Sequence, residues 1–360
     1  MPQGKGSLGA AAAALLLLAA GGAAGGAAAG TAAAAGGGEA AGPQPPLRVE
    51  AAWRLLFRRP AQAPAPPDNP LTVAKVALGA RLFSDPRLSG GGERSCASCH
   101  RPERSFTDGR RRARGLTGAS LARNTPSLWN LAWGEAYFWD GRAPSLEAQV
   151  RMPIVAADEM AGNWPSILGQ LNADLGLLAA FQAAFSEPAP ISEESVAKAL
   201  ASYVRSLVSP RTRFDAWIEG DGDALEANEV RGFRLFTGKA GCVLCHVGWR
   251  FTDDRFHDIG LPGKDAGRGA VAGGTPGLAA FKTPSLRELA YSAPYMHDGS
   301  RPSLAAVVAH YADTFVKRPS LAPSIRRLDL TGAERADLIA FLGTLSSAES
   351  PAEPEAAGPP

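Results

Sequence analysis

Two pentapeptides, Cys96-Ala97-Ser98-Cys99-His100 and Cys242-Val243-Leu244-Cys245-His246, consume all four cysteines of the chain and leave none for a disulfide. Two separate CxxC pairs would by themselves admit a redox dithiol, or a zinc ribbon with a very wide gap. The histidine directly after each pair points to different chemistry. Two thioether bonds fix a haem to such a motif, and the adjacent imidazole is then held under the iron as its proximal ligand. The chain is therefore expected to fold around two covalently bound haem c groups. Haem supplies much of the apolar core in such a fold, so many Gly- and Pro-rich loops are expected, residues 260–277 among them.

Covalent haem attachment takes place outside the cytoplasm, and the amino terminus agrees. Lys5 precedes an apolar run from Leu8 to Ala20, too short to span a bilayer, which reads as a secretory signal. Residues 1–42 are expected to be that signal and a disordered Ala/Gly tract, and residues 43–70 a Pro-rich linker. The segment 1–42 carries one charge of each sign, so the rest keeps the formal +2 of the whole chain. That balance argues against a nucleic-acid binder. No other run approaches transmembrane length, and the expected location is the periplasm.

The two haem motifs sit in repeated surroundings. Arg81-Leu82-Phe83 precedes the first and Phe106-Thr107-Asp108 follows it; Arg234-Leu235-Phe236 and Phe251-Thr252-Asp253 flank the second in the same order. Residues 125–150 align with 283–308 at a constant offset of 158, and roughly half of the positions are identical. Ser192 can cap a helix running to about Val208, and Thr331 with Glu334 forms a capping box for another. Sustained period-2 alternation is missing. The expected fold is all-α: two cytochrome c-like haem domains related by internal duplication, at 71–210 and 211–347, with a disordered tail at 348–360.

What faces the other side of each iron sets the chemistry. The remaining histidines, His257, His297 and His310, all lie in the second half. Between His100 and His246 the only methionines are Met152 and Met160, which leaves the first haem short of a sixth ligand and open to a small oxidant. In the second half the segment from Leu304 reads as a helix, with Leu304, Val307, Val308 and Tyr311 on one apolar face. His310 lies about 100° around from that face, so Tyr311 is preferred over His310 as the sixth ligand of the second haem. A Tyr that merely packs is the alternative. The offset of 158 carries Tyr311 onto Pro153, which has no donor atom.

The order CxxCH, ARNTPSLWN, FWDGRAPSLEAQV, DEM, CxxCH, FHDIG, FKTPSLREL, PYMHDG and VVAHY resembles the bacterial di-haem cytochrome c peroxidase family, most of all its MauG-type branch, over roughly residues 70–345. In the peroxidase branch a methionine occupies the position of Tyr311. Relatives that need reductive activation carry a histidine ligand between the first CxxCH and the ARNTPS motif, and this chain has none there. The resemblance implies that Glu159 is the distal acid that helps protonate the leaving oxygen of peroxide, and that Gln149 is its polar neighbour. It also makes Trp139 the electron relay between the haems. Asn124 matches a side-chain ligand of a calcium ion whose other protein ligands are the carbonyls of Ser292 and Pro294. His257 and His297 are expected to hydrogen-bond haem edges or backbone and are given no role.

The leading expectation is a periplasmic peroxidase that reduces hydrogen peroxide at the open first haem. Electrons would come from a small donor, a cytochrome c or a cupredoxin, through the Tyr-ligated second haem. A MauG-type oxidation of a side chain, such as tryptophan, in a partner protein shares the same site. An electron-carrier di-haem cytochrome is the alternative of another class, and it would need both irons six-coordinate.

Overall fold

The computed structural model describes residues 50–185, 189–273 and 278–349. The expected signal, residues 43–49 of the expected linker and most of the expected tail lie outside these residues. The chain is mostly helical. In order come α1 (Ala51–Phe57), α2 (Val73–Phe83), α3 (Leu146–Val155), α4 (Trp164–Asn172), α5 (Leu175–Phe185) and α6 (Glu193–Ser206). They are followed by α7 (Arg213–Glu219), α8 (Ala227–Thr237), α9 (Arg268–Ala272), α10 (Leu304–Ala309) and α11 (Gly332–Gly343). Strand β1 (Phe256–His257) pairs antiparallel with β2 (Phe281–Lys282). Among the described residues no helix is long and apolar enough to cross a membrane.

The helix starts follow their caps. Ser192 accepts a hydrogen bond from the Ser195 amide at the start of α6. At α11, Thr331 Oγ1 accepts from the Glu334 amide at 3.2 Å while Glu334 Oε2 accepts from the Thr331 amide at 2.8 Å. Two apolar cores result. One collects Leu82, Leu88, Phe106, Leu171, Leu177 and Leu207 around the first CxxCH. The other stacks Phe57, Phe214, Phe233, Phe236, Phe251 and Phe341 behind the second.

Each core depends on one close helix crossing made possible by glycine. A Cβ on Gly79 of α2 would lie 2.1 Å from the Ala199 carbonyl oxygen of α6, and one on Gly232 of α8 would lie 2.0 Å from that of Asp337 on α11. These glycines stand at the same place in the repeated GxRLF segments. Further geometry recurs at the offset of 158. Asn130 and Glu288 both adopt left-handed backbone, and the Tyr137 and Tyr295 hydroxyls donate to the carbonyls of Leu131 and Leu289.

Two local expectations need correction. The stretch expected as linker contains α1, whose Phe57 is fully buried and stacks on Phe251 at 4.9 Å between ring centroids. Arg59 then reaches the carbonyls of Ser209 and Pro210 and the carboxylate of Asp215. Within the expected loop 260–277, α9 forms because Arg268 is anchored: its amide donates to Ala280, and its guanidinium donates to the Asp140 and Gly141 carbonyls.

Candidate functional site

One cavity of about 1100 Å³ joins the two cysteine-histidine motifs. Cys96, Cys99 and His100 line one part of it, and Cys242, Cys245, His246 and Tyr311 another; Trp139, Gln149, Pro153 and Glu159 also face it. The motifs themselves fold as short 3₁₀ turns, Cys96–Ser98 and Cys242–Leu244, so that both cysteines and the histidine of each present to the same space.

The donor set fits haem c. Burial pushes the Cys96 and Cys242 thiols up to about 12, the reverse of the lowered value that a redox dithiol requires. Burial also lowers the pKa of His100 and His246, which keeps both rings neutral. Nδ1 of His100 donates to the Phe106 carbonyl, and Nδ1 of His246 to the Phe251 carbonyl, each at 2.8 Å. Those bonds fix the tautomer in which Nε2 carries the lone pair. Phe106 and Phe251 are both fully buried and both sit at φ +56°, a strained backbone for a bulky residue. The strain aims each carbonyl at its imidazole. The Phe of each repeated Phe-Thr-Asp thus orients its histidine, and these two residues are site positions that the sequence pattern alone did not single out.

The opposite faces differ. Pro153, within α3, lines the cavity without offering a donor. Met160 also lines it. On the other side the chain turns from α10 into a π-helical segment at His310–Thr314, a distortion frequent at functional sites. Tyr311 faces the cavity, and burial followed by the nearby Cys242 and Cys245 sulfurs raises its phenol pKa. His310 does not line the cavity: it is fully buried, its Nε2 donates to the Ile259 carbonyl at 2.9 Å, and its Nδ1 accepts from Arg301 at 3.2 Å. Both imidazole nitrogens are committed to the protein.

Glu159 follows α3, and its amide is tied to the Ala156 carbonyl. Its carboxyl has no ion-pair or hydrogen-bond partner among the described residues. Burial raises its pKa above the ordinary carboxylate value, against the opposing pull of Arg142. Trp139 is held by its indole N–H, which donates to the Asn124 carbonyl at 2.9 Å, and by its own carbonyl, which accepts from Lys282. Asn124 is buried, and its Nδ2 donates to the Arg110 carbonyl, which leaves Oδ1 as an oxygen donor in the cavity that Ser292 and Pro294 also line.

The other two histidines have protein partners. His257 Nε2 contacts Asp253 Oδ2 at 2.7 Å, and Asp253 first, then Cys245, raises its pKa to about 10. Cys245, Asp253 and His257 are close enough to gather around one ion, yet Cys245 belongs to the haem motif and His257 is held protonated, so the trio does not suit a separate metal. His297 stacks on Phe281 at 3.5 Å between centroids, and burial lowers its pKa to about 4.

A family model for di-haem cytochrome c peroxidase matches residues 73–223. The chain is 51% identical over 302 residues to the methylamine utilization protein MauG of Methylorubrum extorquens, covering 82% of this chain and 85% of the relative. It is 45% identical over 293 residues to the MauG of Methylophilus methylotrophus, covering 80% and 87% respectively. The crystal structure of a MauG-like protein associated with microbial copper homeostasis superimposes with a TM-score of 0.76 at 34% identity, covering 84% of this chain and 98% of that one. On this evidence the chain is a peroxide-using oxidoreductase and belongs to the di-haem cytochrome c peroxidase family.

Proposed function

We propose that the protein is a MauG-type enzyme of the periplasm, which uses hydrogen peroxide to oxidise a side chain, such as tryptophan, in a partner protein. The observation that carries this reading is the contrast at the second haem position, where Tyr311 faces the cavity while both nitrogens of the neighbouring His310 are bonded elsewhere. Peroxide reduction with electrons from a cytochrome c or cupredoxin is the second reading. It is favoured by the description of the matching family model, and it uses the same residues.

Cys96, Cys99 and His100 would hold one haem, and Cys242, Cys245 and His246 the other, with Tyr311 as sixth ligand of the second. Haem, when bound, supplies the redox-active iron that peroxide oxidises. The protein's share is proton handling, orientation and electron transfer. Glu159, raised by burial and free of partners, accepts a proton from peroxide held at the Pro153 side of the cavity and returns it to the departing oxygen. Gln149 orients the same peroxide by hydrogen bonding. Pro153 keeps that face free of a protein ligand. Trp139, fixed at both its N–H and its carbonyl, relays electrons between the two sites. A calcium ion held by Asn124 Oδ1 and the Ser292 and Pro294 carbonyls would brace the segment to which Trp139 is bonded.

The two domains, 71–210 and 211–347, are read as products of a duplication, a reading supported by the GxRLF crossings and by the geometry that recurs at the offset of 158. The divergence of Pro153 and Tyr311 then gives one open and one capped site. The test is stoichiometric peroxide titration of the diferric holoprotein. Rapid optical change that persists without a donor and is discharged by a reduced cupredoxin supports peroxidase action. Discharge only by a tryptophan-bearing substrate protein supports side-chain oxidation, and no reaction with peroxide overturns both.

A further inference from the structure

The near-zero net charge conceals a strong local asymmetry. From Arg94 to Arg114 seven arginines stand against only Glu103 and Asp108, a local +5 in a chain whose formal net charge is +2. Arg110, Arg111, Arg112 and Arg114, with Ser120, line a cup on the surface. Two nearby acids are taken by other cations, Asp140 by Arg123 and Arg142 and Asp265 by Arg123, and Asp108 accepts from the Arg110 backbone amide. Among the described residues none of the four cup arginines has a carboxylate partner. Arg112 and Arg114 also line the haem cavity, whereas Arg110 and Arg111 do not. The outer pair, Arg110 and Arg111, is exposed on the surface.

The loop beneath these side chains is fixed. The Arg110 carbonyl accepts from Asn124 Nδ2 at 2.8 Å, Ala113 is bonded to both Leu121 and Arg123, and the Leu116 amide donates to the Glu159 carbonyl at 2.9 Å. Gly299 packs so closely on the Arg111 carbonyl that a Cβ there would lie 2.1 Å away. The backbone of the positive surface is thus ordered before anything binds, which reduces the entropy lost on association. Unpaired guanidinium groups held at the edge of a redox cavity steer an acidic surface toward it and set its orientation.

We propose that the Arg110–Arg114 loop is the docking surface for a partner protein bearing an acidic patch, seated beside the first haem site. This rests on the proposed function only in that oxidising equivalents leave the enzyme for a protein. The test is surface plasmon resonance with the immobilised di-haem holoprotein, and the probe is a zinc-substituted acidic cupredoxin, which binds without redox chemistry. Affinity should fall as salt rises from about 10 mM to about 150 mM, as the Debye length shortens from about 30 Å to about 8 Å. The double substitution Arg110→Glu with Arg111→Glu should weaken binding at low salt on the order of tenfold. The matched pair Arg58→Glu with Lys317→Glu, on exposed residues outside the cup, should leave it unchanged. Absence of binding, equal loss in both double variants, or stronger capture of phosphatidylglycerol vesicles than of the cupredoxin would overturn the proposal. Peroxide-dependent oxidation of hydroquinone, measured alongside, reads the proposed function separately: its absence would sink that function and leave the docking result standing.

Discussion

Replacing Glu159 by Gln keeps the volume and polarity of the side chain and removes only its capacity to carry a proton. The carboxyl faces the cavity, meets no ion-pair or hydrogen-bond partner among the described residues, and has its pKa raised by burial. A buried carboxyl with no partner can accept a proton and return it, and such transfers contribute typically 10² to 10⁴ in rate, about 2.7–5.4 kcal/mol of barrier. Stopped-flow mixing of diferric holoprotein with peroxide should therefore show cleavage slowed on the order of 10²-fold or more in Glu159→Gln. The parent rate should rise with pH through the elevated carboxyl pKa, because the ionised form accepts the peroxide proton, and the variant should lack that limb. Stability moves the other way. A carboxyl whose folded pKa is raised contributes stability that is present below its unfolded value and lost as pH rises through the folded one, so Glu159→Gln should be no less stable than the parent at pH 7. A variant with parental rate and parental pH profile would remove Glu159 from the mechanism.

The helix crossings and the buried ion pair give further tests. Gly79→Ala and Gly232→Ala each force a carbon to within 2.1 or 2.0 Å of a carbonyl oxygen, so α2 must part from α6, or α8 from α11. Thermal unfolding should report a loss of about 1–3 kcal/mol or more in each, and an unchanged Tm would refute the crossings. Asp215 is bonded to Arg287 at 2.7 Å with both side chains buried. Burial alone would raise its pKa, but Arg287 and then Arg59 outweigh that and hold it below the ordinary carboxylate value. Its stabilising contribution is present above the unfolded carboxylate pKa and lost as pH falls through the lowered one. Asp215→Asn should cost about 3–5 kcal/mol at pH 7 and shrink the difference from the parent in acid, and denaturant unfolding at two pH values checks both.

Much of the site was legible because haem chemistry demands residues at fixed spacing. The two CxxCH motifs and the preference for Tyr311 over His310 follow from position in the chain, whereas Glu159 and Trp139 were implied by the resemblance to a known family; the geometry brings these residues, with Pro153, to one cavity. Tyr311 was placed by helical periodicity, although the chain is π-helical there; the preceding turn of α10 sets the direction, and His310 is turned away by its bonds to Ile259 and Arg301. Features that depend on distant partners were hidden. Nothing local in the Pro-rich stretch announces that Phe57 enters the second core, since its neighbours Phe214, Phe233 and Phe251 are more than 150 residues away. The strained carbonyls of Phe106 and Phe251 were visible only as a repeated tripeptide, because their function lies in backbone direction rather than in the side chain. The helical turn α9 likewise depends on Arg268 reaching Asp140 and Gly141.

The asymmetry between the two haem sites is the centre of the account, and electron paramagnetic resonance of the diferric holoprotein reads it directly. One high-spin signal, from the site faced by Pro153, should accompany one low-spin signal from the site capped by Tyr311. Tyr311→Ala should abolish the low-spin signal, while His310→Ala, which leaves the Ile259 carbonyl and Arg301 without their partner, should lower stability and keep that signal. Two low-spin signals in the parent would mean that a residue such as Met160 closes the first site, and a low-spin signal unaltered in Tyr311→Ala would contradict the assignment of the phenolate as ligand.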